Sequence, residues 1–212
     1  WRVAGRSLDR SPIVESHVPS AWENILPAWS FLWMRWAHEH FLLTGDKAAG
    51  REMLRFLDRN IRGIQAHLNA QGLFEINAWN MFDWAPMDTP PRGVVTHQNC
   101  LAVLGLRQAS ELARLLGKRP LAAAWNRMAD QLARAINRHL WCERKRAYYD
   151  CIHEDGTFSK VFSQQTHTAA CISGVADGPR AERCRSIMEK APKGFVRAGS
   201  PFFEFFLLAA SQ

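Results

Sequence analysis

The sequence predicts an all-α fold of stacked helical hairpins. Apolar residues recur at helical spacing in about seven segments, and glycine or proline marks most of the segment ends. One helix–turn–helix–loop unit also occurs twice.

Residues 1–26 read as irregular, with Pro12, Pro19 and a polar run up to Asn24. Pro27 opens a helix over 28–44, which Gly45 closes. Asp46 caps the next, from 47 to about 70, and Gly72 stops it. Within it Arg51, Arg55, Arg59 and Arg62 lie opposite Leu54, Leu57, Ile61, Ile64 and Leu68, the pattern of a helix with one solvated face. Residues 73–95 carry Trp79, Phe82, Trp84 and three prolines, too long and too aromatic for a plain connection. Thr96 caps a third helix to 116, followed by Gly117; Arg119 or Pro120 opens a fourth that ends near Trp141. Segments 147–151 and 157–162 are expected to form a short β-hairpin across 153–156. Three further helices follow, over 163–173, over 178–191 and from Ser200-Pro201 to the end of the chain.

The repeat runs from Leu42-Leu43-Thr44-Gly45-Asp46 through a helix to Phe82-Asp83-Trp84. It runs again from Leu115-Leu116-Gly117-Lys118 through a helix to Tyr148-Tyr149-Asp150. Hairpins with short turns at one end and long loops at the other stack into a ring or solenoid. Their long loops then collect on one face, where sites are built.

Composition narrows the function. The formal charge is +7, but the arginines belong to a solvated helix face, and no basic run interleaved with aromatics is present, so no nucleic-acid partner is expected. The five cysteines are odd in number and lack C-x-x-C spacing. They read as reduced, mostly buried thiols, with neither a disulfide framework nor a metal site, in a cytoplasmic setting. His38-Glu39-His40 offers no metal site either, because residues two apart on a helix point about 200° apart. No apolar run is long enough to span a bilayer, so no membrane partner is expected. The 212 residues read as one domain, and, opening at Trp1 and stopping after an apolar helical run, as a piece of a longer protein. Nine tryptophans are many; most are expected in the core, and the others suit sugar rings, whose apolar faces pack on indoles.

Glu204 is the strongest catalytic candidate. In Gly199-Ser200-Pro201-Phe202-Phe203-Glu204 the serine fits an N-cap and the proline the first helical position. A capping box would place the carboxylate at 203, so Glu204 comes one residue too late for that structural task. Among phenylalanines a carboxylate costs stability unless it is used, and a helix N-terminus favours an anion, which suits a general base. The alternative is a glutamate projecting from a buried helix end. In Trp79-Asn80-Met81-Phe82-Asp83-Trp84 the acid and the rings suit sugar hydroxyls and sugar faces; the alternative is a plug in which Trp84 is core and Asp83 caps a turn. His97 is a further sugar-binding candidate at the same rim, with Asp88, Asn99, Gln164, Gln165 and His167 near it, while Thr96 reads as a cap. No cofactor-binding motif is present.

The ordered set Pro19-Ser20, Ile25-Leu26-Pro27-Ala28-Trp29-Ser30, Leu43-Thr44-Gly45-Asp46, Phe82-Asp83-Trp84, Ser163-Gln164-Gln165-Thr166 and Gly199-Ser200-x-x-Phe203-Glu204 resembles the catalytic domain of bacterial α-L-rhamnosidases over the whole chain. The resemblance implies a toroid of six helical hairpins, of which this chain holds an incomplete part. It also implies inverting hydrolysis of terminal α-L-rhamnosides without a cofactor. Glu204 matches the general base, Trp84 the tryptophan against the sugar and Asp83 its companion; Trp79 and His97 stand as sugar-binding candidates on their own residue chemistry. The family's general acid lies in an acidic segment expected before residue 1, so the chain alone is expected to be nearly inactive. Two rival readings remain: another six-hairpin enzyme acting on a different sugar or by elimination, and a helical-repeat scaffold that binds protein.

Overall fold

The computed structural model describes residues 1–22 and 24–210; the last two residues of the expected C-terminal helix lie outside them. Every expected helix is present. These are α2 (Pro27–Thr44), α3 (Lys47–Ala66), α4 (Thr96–Leu115), α5 (Arg119–His139), α6 (Gln164–Ile172), α7 (Gly178–Glu189) and α8 (Pro201–Ala210). The segment read as irregular holds an additional turn of helix, α1 (Arg2–Arg6), and a 3-10 turn at Ser7–Asp9. These short elements survive by packing: the Arg59 guanidinium donates to Leu8 O at 2.6 Å and pairs with Asp9 at 2.9 Å. Asn60, buried in α3, accepts from the Val14 N–H at 2.8 Å.

The chain punctuation works as its chemistry requires. Gly45 closes α2 at φ +64°, a left-handed conformation costly for other residues, and its N–H donates to Phe41 O. Asp46 caps α3 by accepting from the Ala48 and Ala49 N–H groups at 2.9 and 3.0 Å. Gly117, at φ +74°, turns the chain between α4 and α5 in the same way. Thr96, in contrast, is not the cap of α4: it is the first helical residue, and its hydroxyl donates to Tyr149 O at 2.5 Å.

Helix α4 is the hub, with α2, α5 and α6 packed around it. It is buried continuously from Thr96 to Leu106, whereas α3 buries one face, with the apolar stripe Met53, Leu54, Leu57, Ile61 and Ile64, and leaves its arginines at the surface. Burying each such leucine or isoleucine stabilises by about 1.5–3 kcal/mol. The tryptophans depart from expectation: Trp125 alone is buried among the described residues, while Trp22, Trp36, Trp79 and Trp84 are exposed.

The strands also differ in part. The turn at 153–156 exists, with the Gly156 N–H donating to His153 O and a bridge from Ile152 to Phe158. The longer ladder, however, pairs β4 (Cys151–His153) antiparallel with β1 (Gly93–Val95), joining Val94 to Ile152. A second hairpin joins β2 (Trp141–Cys142), where the sequence suggested a helix end, to β3 (Ala147–Tyr148), at the start of the expected strand 147–151.

These pairings fix the ends of the long loop after α3. Asn99 of α4 accepts from the Phe74 N–H at 2.7 Å and donates to Phe74 O, while the Ala78 N–H donates to Pro91 O and the Asn80 amide to Pro90 O. With both ends held, residues 79–90 form a closed surface loop rather than a free connection.

Candidate active site

The closed loop presents Phe82, Asp83 and Trp84 in three different directions. Phe82 is fully buried, stacked on His97 (centroids 5.2 Å, planes 15° apart) and edge-on to Phe203 at 5.1 Å. Asp83 is buried and faces the start of α8. Trp84 points outward, 66% exposed, with its ring edge-on to Phe202 at 6.4 Å.

Asp83 holds this corner together. Its Oδ1 accepts from the Trp84 N–H at 2.8 Å and from the Ser200 hydroxyl. Its Oδ2 accepts from the Gly199 N–H at 2.8 Å and from the Gln165 amide at 2.6 Å. A carboxylate offers about four lone-pair positions, and these four donors occupy them. The sequence reading of Asp83 as a direct sugar ligand is therefore corrected: it positions Trp84 and α8. Ser200 in turn works at the helix start, its oxygen lying 3.4 Å from the Phe203 N–H it accepts from. Gly199 fits closely, since a Cβ there would lie 2.1 Å from Trp84 O.

Glu204 lies in the first turn of α8, about 6 Å along the axis from Ser200. Its phenylalanine neighbours in sequence do not enclose it. Adjacent helical residues point about 100° apart, so Phe203 and Phe206 enter the core while Glu204 and Phe205 face outward. Glu204 makes no hydrogen bond or ion pair among the described residues. The expected apolar enclosure of this carboxylate is thus replaced by an exposed position. It shares the outer face of α8 with Phe205 and Leu208, and Trp84 and Phe202 flank the same helix start.

His97 is corrected as well. It has no exposed surface, and burial drives its pKa down to about 3, against a small opposing contribution from the Asn80 backbone. It is a neutral core ring stacked on Phe82. His167 is likewise interior: its Nδ1 faces Ser163 O at 2.7 Å, its Nε2 accepts from the Tyr148 N–H at 3.0 Å, and burial lowers its pKa to about 4. Trp79 is 51% exposed, but its ring neighbours Trp22 at 6.5 Å and lines a separate cleft with Arg10, Glu15 and Asn24. The structure therefore ties Trp84 and Asp83 to the start of the helix that bears Glu204, and leaves His97 and Trp79 outside that corner.

Two residues gained importance from the structure. Gln165 is fully buried and bridges Asp83 to Arg197 O at 2.9 Å. Gln164 donates to Met188 O and accepts from the Ala198 N–H at 2.9 Å, which fixes the segment leading into α8. The available signal was the polar run Ser163-Gln164-Gln165-Thr166 ahead of an apolar helix, which here is polar and wholly buried.

No curated protein matches the chain. A GH78 family rhamnosidase of Bacillus sp. GL1 is similar in structure at a TM-score of 0.95 and 39% identity, over 99% of this chain and 22% of that one. A rhamnosidase from Klebsiella oxytoca with rhamnose bound shares the fold at a TM-score of 0.74 and 16% identity, over 94% of this chain and 38% of that one. The chain thus spans well under half the length of either protein. The family model of the bacterial α-L-rhamnosidase six-hairpin glycosidase domain matches residues 3–212, and the chain belongs to that family.

Proposed function

We propose that this chain forms part of the active site of a glycoside hydrolase that cleaves terminal α-L-rhamnosides with inversion. The observation that carries the proposal is the corner where Asp83 ties the exposed Trp84 to the start of the helix bearing Glu204. An exposed indole gives a flat apolar platform for a sugar face, and an outward carboxylate one turn into the adjacent helix can take a proton from water. In an inverting pair the base and acid stand about 6.5–9.5 Å apart with water between the base and the anomeric carbon. Asp83 cannot be the acid, because protein donors fill its oxygens; we assign that role to a residue outside this chain. Trp79 is assigned to a more distant sugar contact. The five cysteines are free, which supports a reducing, cytoplasmic setting. No described helix is long and apolar enough to cross a membrane.

The test is hydrolysis of an aryl α-L-rhamnoside by the whole protein and by its Glu204→Gln and Trp84→Ala variants. Loss of a general base lowers kcat by about 10²–10⁴-fold in Glu204→Gln, while Trp84→Ala raises KM. Equal rates for wild type and Glu204→Gln remove Glu204 from the mechanism.

A further inference from the structure

Away from that corner, three side chains converge on a single point. Cys151 and His153 stand two apart on β4, and on a strand that spacing places both on the same face. Asp88, from the closed loop, meets them. Its Oδ2 lies 3.0 Å from His153 Nε2, Cys151 Sγ lies 3.7 Å from the same nitrogen, and one donor atom from each residue falls within 4.8 Å of the others.

Both neighbours use the same imidazole nitrogen, and this decides between two chemistries. A cysteine nucleophile oriented through histidine needs the thiol on one ring nitrogen and the carboxylate on the other. Here a single nitrogen faces both, so no proton relay can run. Cys151 is also fully buried, out of reach of any substrate. Convergence on one point is instead what a metal ion requires. For a tetrahedral ion with bonds of about 2.0 Å to nitrogen and oxygen and about 2.3 Å to sulfur, the ligand separations are about 3.3 Å for N···O and about 3.6 Å for N···S. The observed 3.0 and 3.7 Å need only a few tenths of an ångström of adjustment.

We propose that Asp88, Cys151 and His153 bind a thiophilic divalent cation of the zinc type, with water in the fourth position. Binding forms bonds from the ion to Asp88 oxygen, Cys151 sulfur and His153 Nε2, and the Cys151 thiol proton passes to solvent. The set supplies two negative charges and one neutral nitrogen, which balances a dication. Supporting groups are in place. The Ser159 hydroxyl donates to Asp88 Oδ2 at 2.6 Å, and the Asp88 N–H donates to Asp150 at 3.3 Å. An entry path exists, since His153 borders a surface cleft with Pro90, Arg92 and Asp155. The ion staples the closed loop to β4, four residues from Trp84.

Cobalt titration of the reduced, chelator-treated protein tests this independently of any hydrolysis. The wild type is expected to develop a near-ultraviolet thiolate-to-cobalt band that saturates at one equivalent and is bleached by zinc. Cys151→Ser loses the band, whereas Cys171→Ser, at the partly exposed thiol of α6, keeps it. Ser159→Ala weakens cobalt binding about 10–100-fold. His153→Gln, at a partly exposed position that leaves the fold intact by circular dichroism, also weakens it. The absence of a band in the wild type, a band that survives Cys151→Ser, or wild-type affinity in His153→Gln overturns the proposal.

Discussion

Replacing Asp83 by asparagine isolates the bond set at the candidate active site. The change keeps the shape but turns one acceptor oxygen into an NH₂ donor. Its NH₂ then faces either the Trp84 N–H, with the Ser200 hydroxyl able to turn and accept, or both the Gly199 N–H and the Gln165 amide. One or two bonds to a charged acceptor are lost, at about 1.5–3 kcal/mol each, and the others survive in weaker neutral form. Relief from burying a charge offsets part of this, leaving a destabilisation of about 3 kcal/mol. Against a domain stability on the order of 5–15 kcal/mol, that is easily measured. Urea unfolding at 25 °C gives the magnitude, and hydrogen exchange at the Trp84 and Gly199 amides gives the location, because one of these two N–H groups loses its partner. A change below about 1 kcal/mol with unaltered Trp84 and Gly199 protection would refute the assignment of Asp83 as the tie between loop and helix.

His97→Phe should flatten the acid side of the stability profile. His97 stays neutral in the fold down to about pH 3 but gains a proton below about pH 6.5 when unfolded. Stability is therefore full above pH 6.5 and falls at up to about 1.4 kcal/mol per pH unit below it. Between pH 6.5 and 4.5 the variant should lose about 2.3 kcal/mol less than wild type in urea titrations, with His167 and, in the opposite direction, Asp150 shaping the remaining slope; parallel profiles would contradict the buried neutral ring. Gly63→Ala should destabilise by about 1–3 kcal/mol or more, because its Cβ would lie 1.8 Å from Pro12 O, and this outweighs the gain of about 1 kcal/mol in helix propensity. Thermal unfolding reads that loss, and a raised Tm would show that the N-terminal segment moves aside freely.

Helices were legible because their signals are local. Proline at Pro27, the Asp46 cap and the left-handed turns at Gly45 and Gly117 each act within one turn of chain. The strands were not, because β4 pairs with β1 across the whole of α4 and α5, and no residue of either announces the other. At the candidate site the sequence singled out Glu204, Asp83 and Trp84 but misread the surroundings of Glu204, Asp83 and His97. Periodicity cannot tell that His97 turns inward onto Phe82, or that Asp83 spends its oxygens on protein donors. The Asp88–Cys151–His153 cluster escaped for a related reason. A search for two ligands one helical turn apart passes over a pair that a strand brings to one face and a third that arrives from a distant loop.

The four donors to Asp83 come partly from its own neighbour and partly from residues 82 to 117 positions later. Closing so long a segment is entropically slow, and it comes after the helical hairpins that need only adjacent residues. A chain paused between those stages would have nearly its full helicity yet leave Trp84 untied from the start of α8, so the candidate site is among the last features such a molecule acquires as it matures.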